Sequence, residues 1–419
     1  MNLIKNSDYK IIAKNFSYLS FLKLFNIGFK FILIGYLIRV LGTELYGLIT
    51  WADSIIQFFL MFINFGFNVY AAKYIVDNKD NKNLINEIVS SIYSIKLILF
   101  LLSFLILFFT SLWDPISQNI GLLYLLLTMG IGEVLFPIWF FQGVEKLKTA
   151  TVIVFFSRLF VFLATILFVK TPDDLFLYVI FLVLSNILMG VLGVQVIQKK
   201  YNIKFYIVRL KILLTYFKAA FMFFLGRFLS LVFNFGTIFL IGIYASMNDV
   251  AGFDIAAKIV MLTVIPFEML QQAVFPTISR TLDKKLLIKL LLLSFTCGVF
   301  LMLLINVFSE KLILLFGGQD LLEYVSTLKL LSALTPLISV TFILGSCGLV
   351  AFGYFKEYNK SLIISSLLYI FSVLIMYFTN QINFSNLVYL RVVSDLALVS
   401  IRGFYVFKRK ILFLKAKKQ

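Results

Sequence analysis

The chain has 419 residues, of which 61% are hydrophobic and 14% are charged, and its mean hydropathy is +1.01. Soluble domains carry roughly 25% charged residues, so this composition excludes an ordinary soluble protein and indicates an integral membrane protein. The formal net charge is +18, which we attribute mainly to orientation in a membrane rather than to nucleic-acid binding.

Twelve membrane-spanning helices are predicted in chain order. A span needs about 20 apolar residues. The chain starts with a polar segment that carries Lys5, Lys10 and Lys14, and the apolar run after it is too long for a cleaved signal peptide. The predicted spans are residues 16–41, 45–74, 88–110, 118–142, 149–169, 175–197, 213–244, 250–278, 286–308, 324–352, 361–379 and 384–407.

The loops between these spans differ sharply in charge. With the N-terminus placed in the cytoplasm, the inner loops and tails carry 25 of the 38 Lys and Arg residues, and the outer loops carry four. Positively charged loops favour the cytoplasmic side of a membrane. The charge pattern therefore predicts an even number of spans, with both termini in the cytoplasm.

Two weak internal echoes suggest a duplicated architecture. Gly47-Leu-Ile-Thr-Trp-Ala52 opens the second span and Gly252-Phe-Asp-Ile-Ala-Ala257 opens the eighth, while Gly143-Val-Glu-Lys146 and Gly353-Tyr-Phe-Lys356 end the fourth and tenth. Both halves begin on the same side of the membrane, as parallel repeats do. We therefore predict two lobes, residues 1–204 with spans one to six and residues 205–419 with spans seven to twelve.

Charged residues inside the spans are the strongest functional signal. A charge at the bilayer centre costs about 2.5–3.5 kcal/mol on insertion scales, so such residues normally face a protein interior or a water-filled path. Basic residues outnumber acidic ones there by four, which predicts a pathway for an anionic substrate. The basic residues are Lys23, Lys30, Lys96, Arg158, Lys218, Arg227, Lys258, Arg391 and Arg402, and the acidic ones are Asp53, Glu133, Asp254, Glu268 and Asp395.

An ordered set of short motifs resembles one transporter family along nearly the whole chain. The motifs are Arg39-Val-Leu-Gly42 with Leu45-Tyr46-Gly47, Pro137-Ile-Trp-Phe-Phe-Gln142-Gly143-Val-Glu-Lys146, Gly252-Phe-Asp-Ile-Ala-Ala-Lys258 with Pro266, Phe275-Pro276-Thr-Ile-Ser279, and Gly345, Gly348 and Gly353 before Lys356. Together they resemble O-antigen flippases of the Wzx type, in the polysaccharide transporter family of the multidrug/oligosaccharidyl-lipid/polysaccharide exporter superfamily.

The resemblance implies a fold, a function and partners. It implies an all-α membrane protein whose two pseudo-symmetric six-helix lobes form a V around a central cavity. It implies a flippase that moves undecaprenyl-pyrophosphate-linked oligosaccharide from the cytoplasmic to the periplasmic leaflet of the bacterial inner membrane by alternating access. Membrane lipids, a polysaccharide polymerase and a chain-length regulator are the other partners that it suggests.

Six basic residues are predicted to line a cationic cavity for the pyrophosphate: Lys23, Lys30, Arg158, Arg227, Lys258 and Arg391. All but Lys30 have an alternative. Lys23 could extend to the membrane interface, and both Arg158 and Arg227 could pair with an acid on another helix. Lys258 could be neutralised by Asp254 four residues earlier, and for Arg391 we favour pairing with Asp395 over substrate contact.

Three further basic residues are interpreted mainly as structural. Lys96 could pair with Glu133 or line the cavity, and Lys218 and Arg402 are predicted to extend to the cytoplasmic interface. Four acids, Asp53, Glu133, Asp254 and Glu268, are candidates for binding a coupling proton or ion. A carboxyl group buried in apolar helices holds a proton more readily than one in water, but salt bridges to the embedded cations are an equal alternative.

Other function classes remain as rivals. A multidrug or cation antiporter of the same fold should favour acids over bases in its cavity, which the excess of basic residues opposes. An O-antigen polymerase or glycosyltransferase should have a large outer loop, but the longest here, near Glu310 and Glu323, has only some fifteen residues. We predict no catalytic residue, cofactor or metal site, since histidine is absent and the two cysteines lie in separate spans.

Overall fold

The computed structural model describes residues 28, 29 and 31–412, and throughout this part the chain is helical, without β-strands. The helices of the N-terminal half are α1 Phe31–Leu41, α2 Thr43–Asn64, α3 Phe67–Asp77, α4 Lys82–Thr110, α5 Asp114–Ser117, α6 Ile120–Leu127, α7 Met129–Leu135, α8 Ile138–Gly143, α9 Leu147–Phe168 and α10 Leu175–Tyr201. Those that follow are α11 Leu210–Leu231, α12 Thr237–Tyr244, α13 Met247–Thr281, α14 Lys284–Gly317, α15 Val325–Leu331, α16 Leu334–Phe342, α17 Phe355–Phe378 and α18 Phe384–Lys408.

The described helices account for predicted spans two to twelve. Ten are long and apolar enough to cross a membrane, and a pair bent by 41°, Gln319–Leu331 with Leu334–Val350, makes eleven if it forms one span. The first predicted span begins outside the described residues, which include its end as α1. The chain is therefore an all-helical, multi-pass membrane protein, while the count of twelve and the cytoplasmic termini stay predictions.

Several predicted spans are interrupted within their length. The second divides into α2 and α3 at Phe65 and Gly66, which both have positive φ angles, 47° and 76°. The fourth comprises α6, α7 and α8, with a break at Pro137. π-helical turns, Val232–Gly236 and Ile343–Val350, lie within the seventh and tenth. π-helical turns often occur at functional sites, which directs attention to these helices.

The chain divides into two compact units whose bounds differ from the predicted lobes in two places. The first unit comprises Ile56–Arg227 with the described residues up to Gly42, and the second comprises Thr43–Ile55 with the described residues from Phe228 onward. The first half of α2 thus packs with the second unit, and most of α11 with the first. Two duplicated six-helix lobes remain a prediction.

Each unit has its own apolar core. In the first, Trp139, Phe140 and Phe141 of the Pro137–Lys146 motif are buried among α3, α4 and α9. In the second, Ile343, Cys347 and Val406 are buried where the π-helical turn after α16 meets α18. Glycine allows close approach inside the first unit, since a Cβ at Gly143 would lie 2.7 Å from the Ile75 side chain. The Pro137–Lys146 motif, one of those that carry the family resemblance, is thus largely a packing motif.

Candidate functional site

Tyr46, Asp254 and Lys258 form a compact polar cluster in the second unit. The Lys258 ammonium donates to the Asp254 carboxylate at 2.5 Å and to the Tyr46 hydroxyl at 2.9 Å. That hydroxyl in turn donates to the same Asp254 oxygen at 2.5 Å. The Lys258 side chain keeps 25% exposure and the Asp254 side chain only 7%. Lys258 is therefore held by a buried carboxylate while part of its side chain remains accessible.

The start of α2 is placed against α12 and α13 by close backbone packing. A Cβ at Gly47 would lie 1.8 Å from the carbonyl oxygen of Met247, so only glycine fits there. The Thr43 hydroxyl donates to Asn248 at 2.7 Å, and the Trp51 indole donates to the carbonyl of Phe239 at 3.2 Å. These contacts bring Tyr46 to α13, a proximity that no spacing along the chain could reveal.

A capping box fixes where α13 begins. The Ser246 hydroxyl accepts from the Asp249 backbone N–H at 3.1 Å, and the Asp249 carboxylate accepts from the Ser246 N–H at 3.0 Å. This reciprocal pair satisfies two of the backbone N–H groups at the start of the helix. Asp254 and Lys258 then fall in the second and third turns, on the face that meets α2.

Lys96 and Glu133 form a second polar cluster, in the first unit. Lys96 is fully buried, and its ammonium lies 3.5 Å from the Glu133 carboxylate and donates to the Glu133 carbonyl oxygen at 2.7 Å. Proline lacks a backbone N–H, so Pro137 leaves that carbonyl without its usual helical donor four residues on. The Lys96 ammonium takes the place of the missing N–H. Pairing of Lys96 with Glu133, one of the two predicted alternatives, is thereby observed.

Asn64 links the Lys96 cluster to the break between α2 and α3. Its side-chain amide donates to the Glu133 carboxylate at 2.7 Å, directly before the two residues with positive φ. Glu133 therefore contacts a basic and an amide side chain from two other helices. Glu133, a candidate for proton coupling, therefore already holds α2 and α4 to its own helix, α7, through these contacts.

Arg391 and Asp395 form a third ion pair, on α18. Both are buried in the second unit, four residues apart on one helical face. This is the pairing that the sequence favoured, and contact of Arg391 with substrate stays a prediction.

The prediction that Arg402 extends to the membrane interface was wrong. Only 4% of this arginine is exposed. Its guanidinium donates to the Thr341 carbonyl at 2.9 Å and to the Ser361 hydroxyl at 3.3 Å, and it lies 4.6 Å from the centre of the Tyr358 ring. A Cβ at Gly345 would lie 2.5 Å from a guanidinium nitrogen, so this glycine of the resemblance motif makes room for Arg402. Neutral partners hold the charge inside the unit.

Arg158, Lys218 and Arg227 are exposed basic residues of the first unit. Arg158 lies on the same face of α9 as Phe155 and Phe162, because the three are spaced by three and four residues. Both of these rings contact Phe29, at centroid distances of 6.4 and 4.6 Å. Arg158 therefore lies on the face of α9 whose aromatic residues contact Phe29. Lys23 and Lys30 of that span lie outside the described residues.

The remaining candidate acids, Asp53 and Glu268, are half-buried on α2 and α13. Glu268 accepts a hydrogen bond from the Gln272 side chain at 3.0 Å, one turn later. Within residues 28–29 and 31–412, no group of three or more His, Cys, Asp or Glu side chains could hold a metal ion. The charged groups of the described chain include cation–carboxylate clusters, exposed basic side chains and the buried Arg402.

Proteins similar to this chain include two bacterial proteins that are assigned as O-antigen transporters. Over 375 residues, the chain is 25% identical to a protein of Escherichia coli (strain K12) assigned as an O-antigen transporter, covering 87% of this chain and 89% of that protein. It is 26% identical over 258 residues to a protein of Shigella dysenteriae with the same assignment, covering 61% of this chain and 64% of the relative.

Solved structures with the same fold are transporters. The lipid II flippase MurJ in its inward closed conformation matches with a TM-score of 0.77 at 16% identity, over 94% of this chain and 89% of that one. A multidrug resistance MATE family transporter of the MOP superfamily matches with a TM-score of 0.72 at 14% identity, over 92% and 94%. At these identities the match establishes the fold alone.

Residues 12–282 match the family model described as polysaccharide biosynthesis protein, and the chain belongs to that family.

Proposed function

We propose that the chain is a flippase that carries an undecaprenyl-pyrophosphate-linked oligosaccharide, such as an O-antigen repeat unit, from the cytoplasmic to the periplasmic leaflet of the bacterial inner membrane. The observation that carries this proposal is the match, along 87% of the chain, to a protein assigned as an O-antigen transporter. The relatives with functional names are transporters and not enzymes, and the fold is one that a lipid-linked precursor flippase also uses.

Lys258 is the best-supported contact for the pyrophosphate among the described residues. Asp254 and a phosphate oxygen are alternative anionic partners for one ammonium group, and the partial exposure of Lys258 allows an exchange between them. Arginine forms two parallel hydrogen bonds to phosphate, which suits the exposed Arg158 and Arg227 to the same role. Lys23 and Lys30 stay candidates from the sequence.

The division of α2 supports a transport cycle with alternating access. Its first half packs with the second unit and its second half with the first. The Tyr46 hydroxyl joins the first half to the Asp254–Lys258 pair. We propose that engagement of Lys258 by the substrate weakens this junction, so that binding is coupled to a change in the packing of α2.

Proton coupling is the weaker part of the proposal. Glu133 and Asp254 both neutralise a lysine, so releasing either for proton transport would first require its ion pair to open. Asp53 and Glu268, which are half-buried, remain candidates from the sequence. The multidrug antiporter alternative shares the fold, but the sequence relatives favour a glycan substrate. A polymerase and a chain-length regulator remain proposed partners.

A complementation experiment separates substrate contact at Lys258 from structural pairing. In a strain that lacks its own O-antigen transporter, surface polysaccharide should fall with Lys258→Gln and be largely retained with Lys258→Arg. Loss of one charge-assisted contact worth about 1.5–3 kcal/mol lowers affinity roughly ten- to a hundredfold. Lys360→Gln, at an exposed lysine, is the matched control, with protein abundance measured in parallel.

The decisive variant removes both charges together. Asp254→Asn with Lys258→Gln leaves no unpaired buried charge. If Lys258 binds substrate, this double variant stays inactive at normal abundance. If the pair is only structural, the double variant regains surface polysaccharide, and the proposed role of Lys258 is wrong.

A further inference from the structure

Residues 202–209, which join α10 to α11 and are named the strap here, are fixed to the first unit. The Lys204 backbone N–H donates to the Asn86 side chain at 3.2 Å, and the Tyr206 N–H donates to the Ser90 hydroxyl at 3.2 Å. Asn86 and Ser90 are four residues apart on one face of α4. The strap is therefore docked on α4 through its own backbone.

Side chains of the strap reinforce this docking. Phe205 packs edge-on against Tyr93 of α4, with ring centroids 5.1 Å apart. Ile203 and Val208 are both buried, at 7% exposure. Because Ile203, Phe205 and Val208 are directed inward, the side chains between them are directed outward.

Large apolar side chains point away from the protein on the outer face of the strap. Ile207 is 100% exposed, Tyr206 is 47% exposed, and Leu210 at the start of α11 is 67% exposed. Ile207, Leu210 and Leu214 follow at spacings of three and four residues, and Leu214 is 47% exposed as well. No residue in the described part of the chain covers Ile207.

Basic residues surround these apolar side chains. Lys204, Arg209 and Lys211 are all exposed, and no Asp or Glu occurs in the sequence between Asp174 and Asp249. The nearby acid is Glu87 of α4, which accepts a hydrogen bond from Tyr216 at 2.9 Å and acts electrostatically on Tyr206. The outer face of the strap is thus apolar and strongly cationic.

We propose that the strap is a binding surface for anionic lipid headgroups at the membrane interface. The helices before and after it are both candidate spans, so the strap, which is docked on α4, lies next to the membrane surface where one span ends and the next begins. Basic residues of this kind are attracted to anionic lipids, and apolar side chains among them insert at the headgroup boundary. If the basic residues of the strap served only to orient the chain in the membrane, Ile207 and Leu210 would not need to be exposed beside them.

Depth-dependent fluorescence quenching tests this proposal in the full-length protein. Cys297→Ser and Cys347→Ala remove the natural thiols, and Ile207→Cys then carries an environment-sensitive fluorophore. The matched control is Asp80→Cys, in the exposed polar loop between α3 and α4. Both proteins are reconstituted in phosphatidylcholine vesicles with increasing phosphatidylglycerol, and with a lipid that is spin-labelled at its headgroup.

The proposal expects stronger quenching at position 207 than at position 80, rising with the fraction of phosphatidylglycerol. Each basic residue near an anionic surface contributes roughly fivefold to the attraction, so Lys204→Gln with Arg209→Gln should move the rise to a higher phosphatidylglycerol fraction. Equal quenching at both positions would overturn the proposal. Quenching at position 207 that does not depend on phosphatidylglycerol would also overturn it. The same holds for fluorescence at position 207 that changes only when another protein is added to the vesicles.

Discussion

At the scale of single residues, the embedded charges of the described chain differ in their exposure and in their partners. Lys96, Lys258 and Arg391 each have an acidic partner within the same unit. Arg158 and Arg227 are exposed. The excess of basic residues is therefore a poor count of the cations that an anionic substrate can reach, because Lys96 and Arg391 are buried beside their acidic partners. Lys96 is instead a structural substitute for the N–H that Pro137 lacks.

Replacing Lys96 should destabilise the protein more than replacing Glu133. Lys96→Met leaves the Glu133 carbonyl without the Lys96 donor and the Glu133 carboxylate without the neutralising charge, although the Asn64 amide still donates to the carboxylate. Glu133→Gln keeps an acceptor for Lys96. Removing one partner of a buried pair costs about 3–5 kcal/mol. We expect the lower end because the Glu133 side chain keeps 27% exposure.

The measurement is chemical unfolding in detergent, with Lys218→Met at an exposed lysine as the control. Equal losses of unfolding free energy for Lys96→Met and Glu133→Gln would show that the carbonyl contact contributes nothing.

Pairs one helical turn apart left a clear signal in the sequence, whereas contacts between distant helices left no signal or, for Lys96 with Glu133, one of two open alternatives. The spacing of four residues offered Asp254 with Lys258 as an alternative and favoured Arg391 with Asp395, because such residues are neighbours on a helix, and both pairs are present. Tyr46 joins Asp254 across 208 residues, and Lys96 joins Glu133 across 37. Arg402 was misassigned because its carbonyl, hydroxyl and ring partners carry no charge and leave no signal in a count of acids and bases.

At the scale of helices, the break between α2 and α3 is a strained feature held by aromatic packing. Phe65 has a φ of 47°, and a strained residue of this kind costs about 1–3 kcal/mol. Its ring stacks between Phe217 and Phe224 of α11, at centroid distances of 4.1 and 4.6 Å. Each such aromatic pair contributes about 0.5–1.5 kcal/mol beyond burial, which is enough to offset the strain.

Gly66→Ala should therefore disrupt the first unit. Its φ of 76° is unfavourable for alanine by about 1–2 kcal/mol, and a Cβ there would lie 2.6 Å from the Phe224 backbone nitrogen. We expect a lower thermal midpoint and a reduced yield of folded protein. Gly121→Ala in α6 is the control, because a Cβ at Gly121 meets open space. A Gly66→Ala protein as stable as Gly121→Ala would contradict the close packing of α3 against α11.

Helix interruptions were the part of the fold that hydropathy could not predict. Apolar composition located the predicted spans from the second to the twelfth, because length and hydropathy suffice for that. The breaks at Phe65 and at the two π-helical turns depend on packing against other helices, and Phe65 is not a residue that favours a positive φ. Pro137 was a visible signal for the break in the fourth span, whereas the contact of Lys96 with the Glu133 carbonyl oxygen was not.

At the scale of the whole molecule, the two compact units do not follow the order of the chain. Residues 43–55 belong with the later part, and residues 205–227 with the earlier part. The predicted division at residue 204 lies in the connection between α10 and α11. The strap in that connection is docked on α4, and the first unit continues beyond it to Arg227. The sequence contains no marker for these two unit boundaries, because they lie inside the continuous helices α2 and α11.

The most direct test of the proposed function measures transfer of the lipid-linked glycan itself. Purified protein is reconstituted in vesicles that carry undecaprenyl-pyrophosphate-linked oligosaccharide, and a membrane-impermeant reagent scores the glycan that has crossed to the opposite leaflet. The account predicts that wild-type vesicles transfer glycan faster than protein-free vesicles, that Lys258→Arg retains transfer, and that Asp254→Asn with Lys258→Gln abolishes it. Transfer no faster in wild-type than in protein-free vesicles would contradict the account.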